Sequence, residues 1–368
     1  METKVLTADS PLVHSYLRDF RVSKDGKKFA ARVRGEGKFP STVIRSDAPK
    51  QVLVEFLTEE EWKTERPSPF FRWLSAFRLP YLAFSLLPLL LAFCAYHRSD
   101  RLAHFQLGIL VFLATSLMHI SCNLWGEVED HLRGIDSPGS TSGSGVIREL
   151  WIPAIHLRLV AILFFLIGIA LGLTILSMLP WESSGKQLLW IGLLGATSAA
   201  SYSGWPFHYK YIGLGEPILF LVSGPLIAMG ACAIFYQDTS LFSWFAIVST
   251  PLAFLAILRL HAGNQQRIPF DTIAGARTIA RVFGFSIAKG IYLFLCLAPF
   301  AVLIALYAFH LIPVACFAAL ASLPICYLNW KLLREAKGPL DPICHELRDG
   351  AARLQVAFGL LYCLGFLF

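Results

Sequence analysis

Charged side chains are scarce in this 368-residue chain: Asp, Glu, Lys and Arg make up 15% of it, against 55% hydrophobic residues and a mean hydropathy of +0.58. A soluble domain of this size could not carry that composition in water, so soluble classes are excluded and an integral membrane protein is expected. The eight cysteines form no CxxC pair and no regular framework. That argues against a disulfide scaffold or a thiolate metal centre and leaves them as small core residues. No basic-then-apolar start precedes the first long apolar run near Leu74, so no secretory signal peptide is expected, and the early acids Glu2, Asp9 and Asp19 disfavour a mitochondrial presequence.

What is present is a series of nine apolar segments, at roughly 74–96, 104–125, 153–179, 186–202, 212–236, 241–260, 285–309, 311–328 and 351–368. Most reach the ~20 residues that a helix needs to cross a bilayer with its backbone groups satisfied. The expectation is an all-α membrane protein, a bundle of nine transmembrane helices. The arm over residues 1–69 has a different, charged composition. Its alternating pieces FAARVRG, STVIRS and VLVEFL read either as a small β-meander or as a solvated cytoplasmic tail.

Loop charge sets the orientation. With the arm in the cytoplasm, loops on that side carry Arg133, Arg148, Lys210, Arg267, Arg277, Arg281, Lys331, Arg334, Lys337 and Arg348, against Arg98, Arg101 and Lys186 opposite, ten to three. This positive-inside bias places the N-terminus and the loops after the second, fourth and sixth segments in the cytoplasm. It also accounts for the net charge of +7 without any nucleic-acid partner.

Those three loops carry polar residues that plain connectors do not need. The first reads NLWGEVEDHLRGID, residues 123–136, where Glu127 and Asp130 share a face if the preceding helix continues, with Asp136 six residues on. The second is YSGWPFHYKYIGLGEP from Tyr202, and the third HAGNQQRIPFDTIAGARTIARVFG from His261. Hard oxygen ligands suit Mg2+, which usually arrives with phosphates. Asp130 and Asp271 would hold a diphosphate through the metal while Lys210, Arg133 and Arg277 supply direct positive charge. Stabilising the departing diphosphate would lower the barrier to cleavage of an allylic C–O bond, with a greasy tail lying between the helices.

Together the three loops resemble the UbiA superfamily of intramembrane aromatic prenyltransferases, most closely its 1,4-dihydroxy-2-naphthoate branch of menaquinone synthesis. The closing segment GPLDPICHELRDGAARLQVAFGLL fits the same pattern, so the resemblance covers about residues 70–368, the transferase domain, and excludes the arm. It implies a nine-helix bundle around a central cavity in the membrane, bacterial inner membrane being expected. It also implies transfer of a polyprenyl group from a prenyl diphosphate to an aromatic acid, with decarboxylation when the acceptor is dihydroxynaphthoate.

By that resemblance Glu127, Asp130, Asp136 and Asp271 organise Mg2+. Asn123, Arg133, Lys210, Arg267 and Arg277 face the diphosphate, and Tyr202, Ser203, Tyr211 and Asn264 line the acceptor pocket. Two positions depart from the pattern. Gly126 stands where the family has Asn, and Arg267 replaces the first Asp of the second cluster, so that a second Mg2+ would lack a carboxylate. The alternatives are another acceptor, such as 4-hydroxybenzoate or homogentisate, or a quinone-binding or transport protein built on the same bundle. Oligomeric state is not legible in the chain.

Overall fold

A computed structural model describes residues 2–7, 38–41, 51–58, 66–96, 101–136, 140 and 143–368. In the arm, β1 (Glu2–Thr7), β2 (Lys38–Ser41) and β3 (Gln51–Thr58) form an antiparallel sheet in the order β1-β3-β2. The central strand is therefore the last in sequence, which differs from the chain-order pairing of a meander. Pro40 lies on the edge strand β2, opposite Phe56, where a residue without an N–H is tolerated. VLVEFL falls in β3, whereas FAARVRG and all of STVIRS beyond Ser41 lie outside the described residues.

The rest is helical. α1 (Pro69–Phe77) starts on a Ser68 cap with Pro at its first position, and a 3-10 turn at Leu79–Leu82 joins it to α2 (Ala83–Ala95). α3 (Arg101–Arg133) has 33 residues, about 50 Å at 1.5 Å per residue, well beyond a ~30 Å hydrocarbon core. The expected end near residue 125 is thus overrun by two turns, and the acidic patch continues the helix. Gly134, at φ 77, stops it in the left-handed conformation that favours glycine, and the Asp130 carbonyl accepts the Ile135 and Asp136 amides.

α4 (Ala154–Ser177) and α5 (Lys186–Ser203) follow. Next, α6 (Gly215–Leu221) passes through a wide turn at Val222–Leu226, where Pro225 breaks the regular ladder, into α7 (Ile227–Phe235). α8 (Phe242–Val248) and α9 (Thr250–Gln266) meet at a 46° bend. α10 (Ile268–Ala274) is short, α11 (Ile279–Ala308) long, and a 3-10 stretch at Val314–Ser322 leads to α12 (Leu323–Glu335) and α13 (Ile343–Leu364).

Among the described residues, seven helical segments are long and apolar enough to cross a membrane, and eight if the bent α8–α9 pair is one span. The chain is an integral, multi-pass membrane protein whose bundle is all-α. The expected count of nine is not reached because α5 falls short: Lys186 and Gln187 open it and GATSAASYS closes it, diluting its Leu and Ile with small and polar residues.

α9 is the central helix, packing against α2, α6, α11 and α13. It buries polar side chains at its end, His261, Asn264, Gln265 and Gln266, which must then find partners inside the bundle. The close approach of the wide turn to α9 depends on Gly224, where a β-carbon would meet Ala253 Cβ at 2.7 Å and the Ser249 carbonyl at 3.2 Å. Gly224→Val should therefore overpack this contact and cost about 1–3 kcal/mol. A thermal melt of the detergent-purified chain should show a lower midpoint, whereas Gly290→Ala, where an added β-carbon meets nothing within 4 Å, should leave it unchanged or slightly raised.

Candidate active site

The far end of α3, the 3-10 turn Tyr209–Tyr211 and the end of α9 converge on Asp130. Its side chain is 2% exposed. Lys210 Nζ donates to both oxygens, at 2.7 and 2.5 Å, Tyr211 Oη donates to Oδ1 at 2.8 Å, and Arg267 Nη1 stands 3.7 Å from Oδ2. Burial pulls the Lys210 ammonium below its usual range and Arg267 adds to that, while Asp130 opposes both. Burial, reinforced by Asp130, holds the Tyr211 hydroxyl well above its ordinary range, so it stays a donor.

Glu127 and Asp136 serve the following loop. Glu127 Oε1 accepts from the Ser144 amide (2.6 Å), the Ser144 hydroxyl (2.7 Å) and the Gly145 amide (3.1 Å), while Oε2 faces Arg78 at 3.8 Å. Gly143, at φ +63, takes a conformation that other residues adopt with strain, and a β-carbon there would sit 2.5 Å from Glu127 Oε1. Asp136 Oδ1 accepts from Arg148 at 2.7 Å, which pins the other end of the same loop.

Asp271, at the start of α10, accepts from Thr278 Oγ1 at 2.9 Å. Burial pushes its carboxyl above the usual range, and the neighbouring Arg267 guanidinium counteracts that. Arg267 donates to Asn264 Oδ1, and Asn264 Nδ2 donates to Glu216 Oε1 at 2.7 Å. Asn264 therefore holds Arg267 in place and does not line the cavity. Asn123 does line it, donating to the Phe77 carbonyl at 3.1 Å, as do Tyr202 and Ser203. Arg133 packs behind the site, its guanidinium carbon 4.2 Å over the Tyr211 ring and its Nη2 3.1 Å from His208 Nδ1. Arg277 is exposed, and only its backbone amide reaches Tyr211, at 2.9 Å.

Residues that the loop motifs did not single out complete the wall. Arg78 lines the cavity, its guanidinium carbon 4.2 Å over the Tyr81 ring. Arg259 is 5% exposed and lies 4.1 Å over the same ring, donating to the Pro80 carbonyl at 2.6 Å. The signal was available: an Arg between Leu258 and Leu260 in an apolar run needs an internal partner. His119 faces the cavity with Nδ1 2.6 Å from Ser85 Oγ. His261 bonds the Ala288 carbonyl through Nε2.

The cavity itself measures about 480 Å³. Leu89, Val111, Met118, Ile169, Leu173, Ile191 and Leu226 give it apolar walls from α2, α3, α4, α5 and the α6–α7 segment, while Arg78, Asn123, Lys210 and Arg267 gather at one end. This form suits an amphiphile with an anionic head and a long apolar tail.

A protein-held divalent metal does not fit these residues. Among the described residues no three His, Cys, Asp or Glu side chains converge to hold an ion. Glu127 Oε1 is taken by the loop, Asp136 Oδ1 by Arg148, both Asp130 oxygens by an ammonium and one Asp271 oxygen by Thr278. The buried Glu127 Oε2 and Asp136 Oδ2, which have no hydrogen-bond partner, do not gather with a third ligand.

Fold and site together define a polytopic membrane protein that presents a cationic head pocket above an apolar cavity. The chain matches the UbiA prenyltransferase family over residues 85–341, most of its length, and belongs to that family. Human UbiA prenyltransferase domain-containing protein 1 is 24% identical over 322 residues, covering 88% of this chain and 89% of that one. The 1,4-dihydroxy-2-naphthoate octaprenyltransferase of Bacillus subtilis is 27% identical over 184 residues, 49% of this chain and 57% of its own. Membership is therefore shown at the level of the family, with the domain-containing protein 1 group matched over more of the chain than the naphthoate enzyme. The solved UbiA homolog from Archaeoglobus fulgidus bound to GPP and Mg2+ superposes with a TM-score of 0.52 at 14% identity, over 79% of this chain and 99% of that one, and so shares the fold.

The Glu127 clasp gives a direct test. Glu127→Ala removes the acceptor of three donors, each charge-assisted bond contributing about 1.5–3 kcal/mol, and limited proteolysis within residues 140–150 should become several-fold faster while the melting of the bundle changes little. Unaltered cleavage would show that the loop is held elsewhere.

Proposed function

We propose that this chain transfers a prenyl group from a prenyl diphosphate to an aromatic acid within the bilayer, with 1,4-dihydroxy-2-naphthoate the acceptor and a menaquinone precursor the product. The observation that carries this reading is the cavity: apolar walls run along α3 from Val111 to Gly126, roughly 22 Å of helix, and end at Lys210 and Arg267. Burial of the tail contributes about 0.8 kcal/mol per CH2, so a long prenyl chain supplies much of the affinity.

Lys210 and Arg267 meet the diphosphate oxygens. Their charge stabilises the leaving group as the allylic C–O bond breaks and its electron pair departs on oxygen. Asp130, fixed by Tyr211, holds Lys210 at the mouth. The ring carbon that bears the acceptor's carboxylate then forms a C–C bond with the allylic carbon, and CO2 leaves to restore aromaticity. Arg78, on the cavity wall beside Tyr81, is the cation available to that carboxylate, which supports an acidic acceptor. Tyr202 and Ser203 line the same cavity, which supports a part for them in holding the acceptor.

Mg2+ enters this scheme as the counter-ion of the diphosphate, part of the substrate. The loop charge bias supports an orientation with the arm and the site on the cytoplasmic side. Residues 1–69 form a separate extension of the transferase domain at 70–368.

Membranes containing the protein should transfer a radiolabelled prenyl group to dihydroxynaphthoate, and Asp130→Ala should lower the rate by about 10²–10³-fold. Equal product from both would overturn the site, and no product from any aromatic acid would favour a carrier of quinone. Gly172 lines the cavity, and a β-carbon there meets nothing within 4 Å. Gly172→Phe should fold normally and occupy cavity volume, so in a competition assay longer donors should lose kcat/KM relative to geranyl diphosphate.

A further inference from the structure

The charged side chains that line the cavity are all cations, with no Asp or Glu among the lining residues. Lys210, Arg267 and Arg78 line it. Behind that lining Asp130 pairs with Lys210 and Arg267, Asp271 also acts on Arg267, and Glu127 spends one oxygen on the loop and faces Arg78 with the other. A site built to chelate a divalent ion has the opposite balance, several carboxylates around an empty centre. Here an ion approaching Asp130 meets the Lys210 ammonium on both oxygens, at 2.7 and 2.5 Å, and the Arg267 guanidinium 3.7 Å away. Asn264 and Glu216 anchor Arg267 from behind in a buried network, so the guanidinium is positioned before any ligand arrives.

From this we infer that Lys210 and Arg267 replace a protein-held metal: the diphosphate binds them directly, so substrate capture does not require Mg2+. Lys210 acts as a point charge that moves from Asp130 towards the phosphate, and Arg267 as a planar fork able to take two phosphate oxygens. Asp130 becomes the positioning group that holds Lys210 until the substrate enters. This rests on the prenyl-diphosphate reading above. It departs from the Archaeoglobus fulgidus homolog, whose solved form is bound to GPP and Mg2+.

The test measures binding, apart from turnover. The full chain in nanodiscs is titrated with geranylgeranyl S-thiolodiphosphate, a slowly ionising donor analogue, in EDTA and in Mg2+, by isothermal calorimetry. In the wild type, removal of the metal should weaken binding by less than about tenfold. Arg267→Asp, which exchanges the cation for a carboxylate, should bind about a hundredfold or more weakly in EDTA and recover in Mg2+, a loss of the size expected when a buried charge partner is removed. Arg267→Gln, which adds no new charge, should show the loss without the recovery and guards against misfolding of the Asp variant.

A wild type weakened by more than tenfold in EDTA, or an Arg267→Asp chain that binds in EDTA as the wild type does, would overturn the inference and leave the donor reading standing. Absence of binding in both buffers would overturn the donor reading and this inference with it.

Discussion

The buried ion pair between Lys210 and Asp130 is the contact on which this end of the molecule depends. Removing two charges from water costs several kcal/mol for each, and their attraction offsets that only when the remaining lone pairs and protons are also satisfied. Asp130 meets the condition through the Tyr211 hydroxyl and the nearby Arg267 guanidinium. The same four side chains join the end of α3, the turn at Tyr209–Tyr211 and the end of α9. Loss of one partner would leave an uncompensated charge at the cavity mouth, so the electrostatics that form the head pocket also close the bundle there.

The acidic patch divides between two tasks. Asp130 turns towards the cavity mouth, whereas Glu127 turns into the Ser144 and Gly145 amides and Asp136 turns to Arg148. Glu127 and Asp130, three residues apart on α3, lie on one side of the helix about 60° apart, and Asp136 lies beyond its end, so the different partners come from the elements packed around each acid and not from opposite helix faces. The loop after α3 is consequently held against the helix by carboxylates that resemble ligands in the sequence. Arg78 links the two groups, lining the cavity while standing 3.8 Å from Glu127.

Much of this was legible from composition and motifs. Long apolar runs gave the membrane class and most of the helices, because a bilayer leaves a chain few other ways to satisfy its backbone. Loops after alternate segments pointed to one shared site, and Asp130, Lys210 and Arg267 do meet. Arg277 and Arg133 were less legible. Both are basic and close in sequence to the motifs, yet one is exposed and the other stacks behind Tyr211, a distinction set by side-chain direction, which spacing does not carry. Arg259 carried a signal in its place within an apolar run, but its partner did not: the Tyr81 ring that receives it is 178 residues away, and no local pattern marks that contact.

By itself the sequence determined that the chain lives in a bilayer, that its polar chemistry collects in three loops, and that Arg267 stands where a carboxylate was expected. These follow from residue type and order, since hydrophobic length and charge are local properties. Only the tertiary structure decided which carboxylates face the cavity, which hold a loop, and that an ammonium already occupies Asp130. Those outcomes depend on the rotation of α3, the descent of the Tyr209–Tyr211 turn and the register of α9, and each is fixed by packing between segments far apart in the chain.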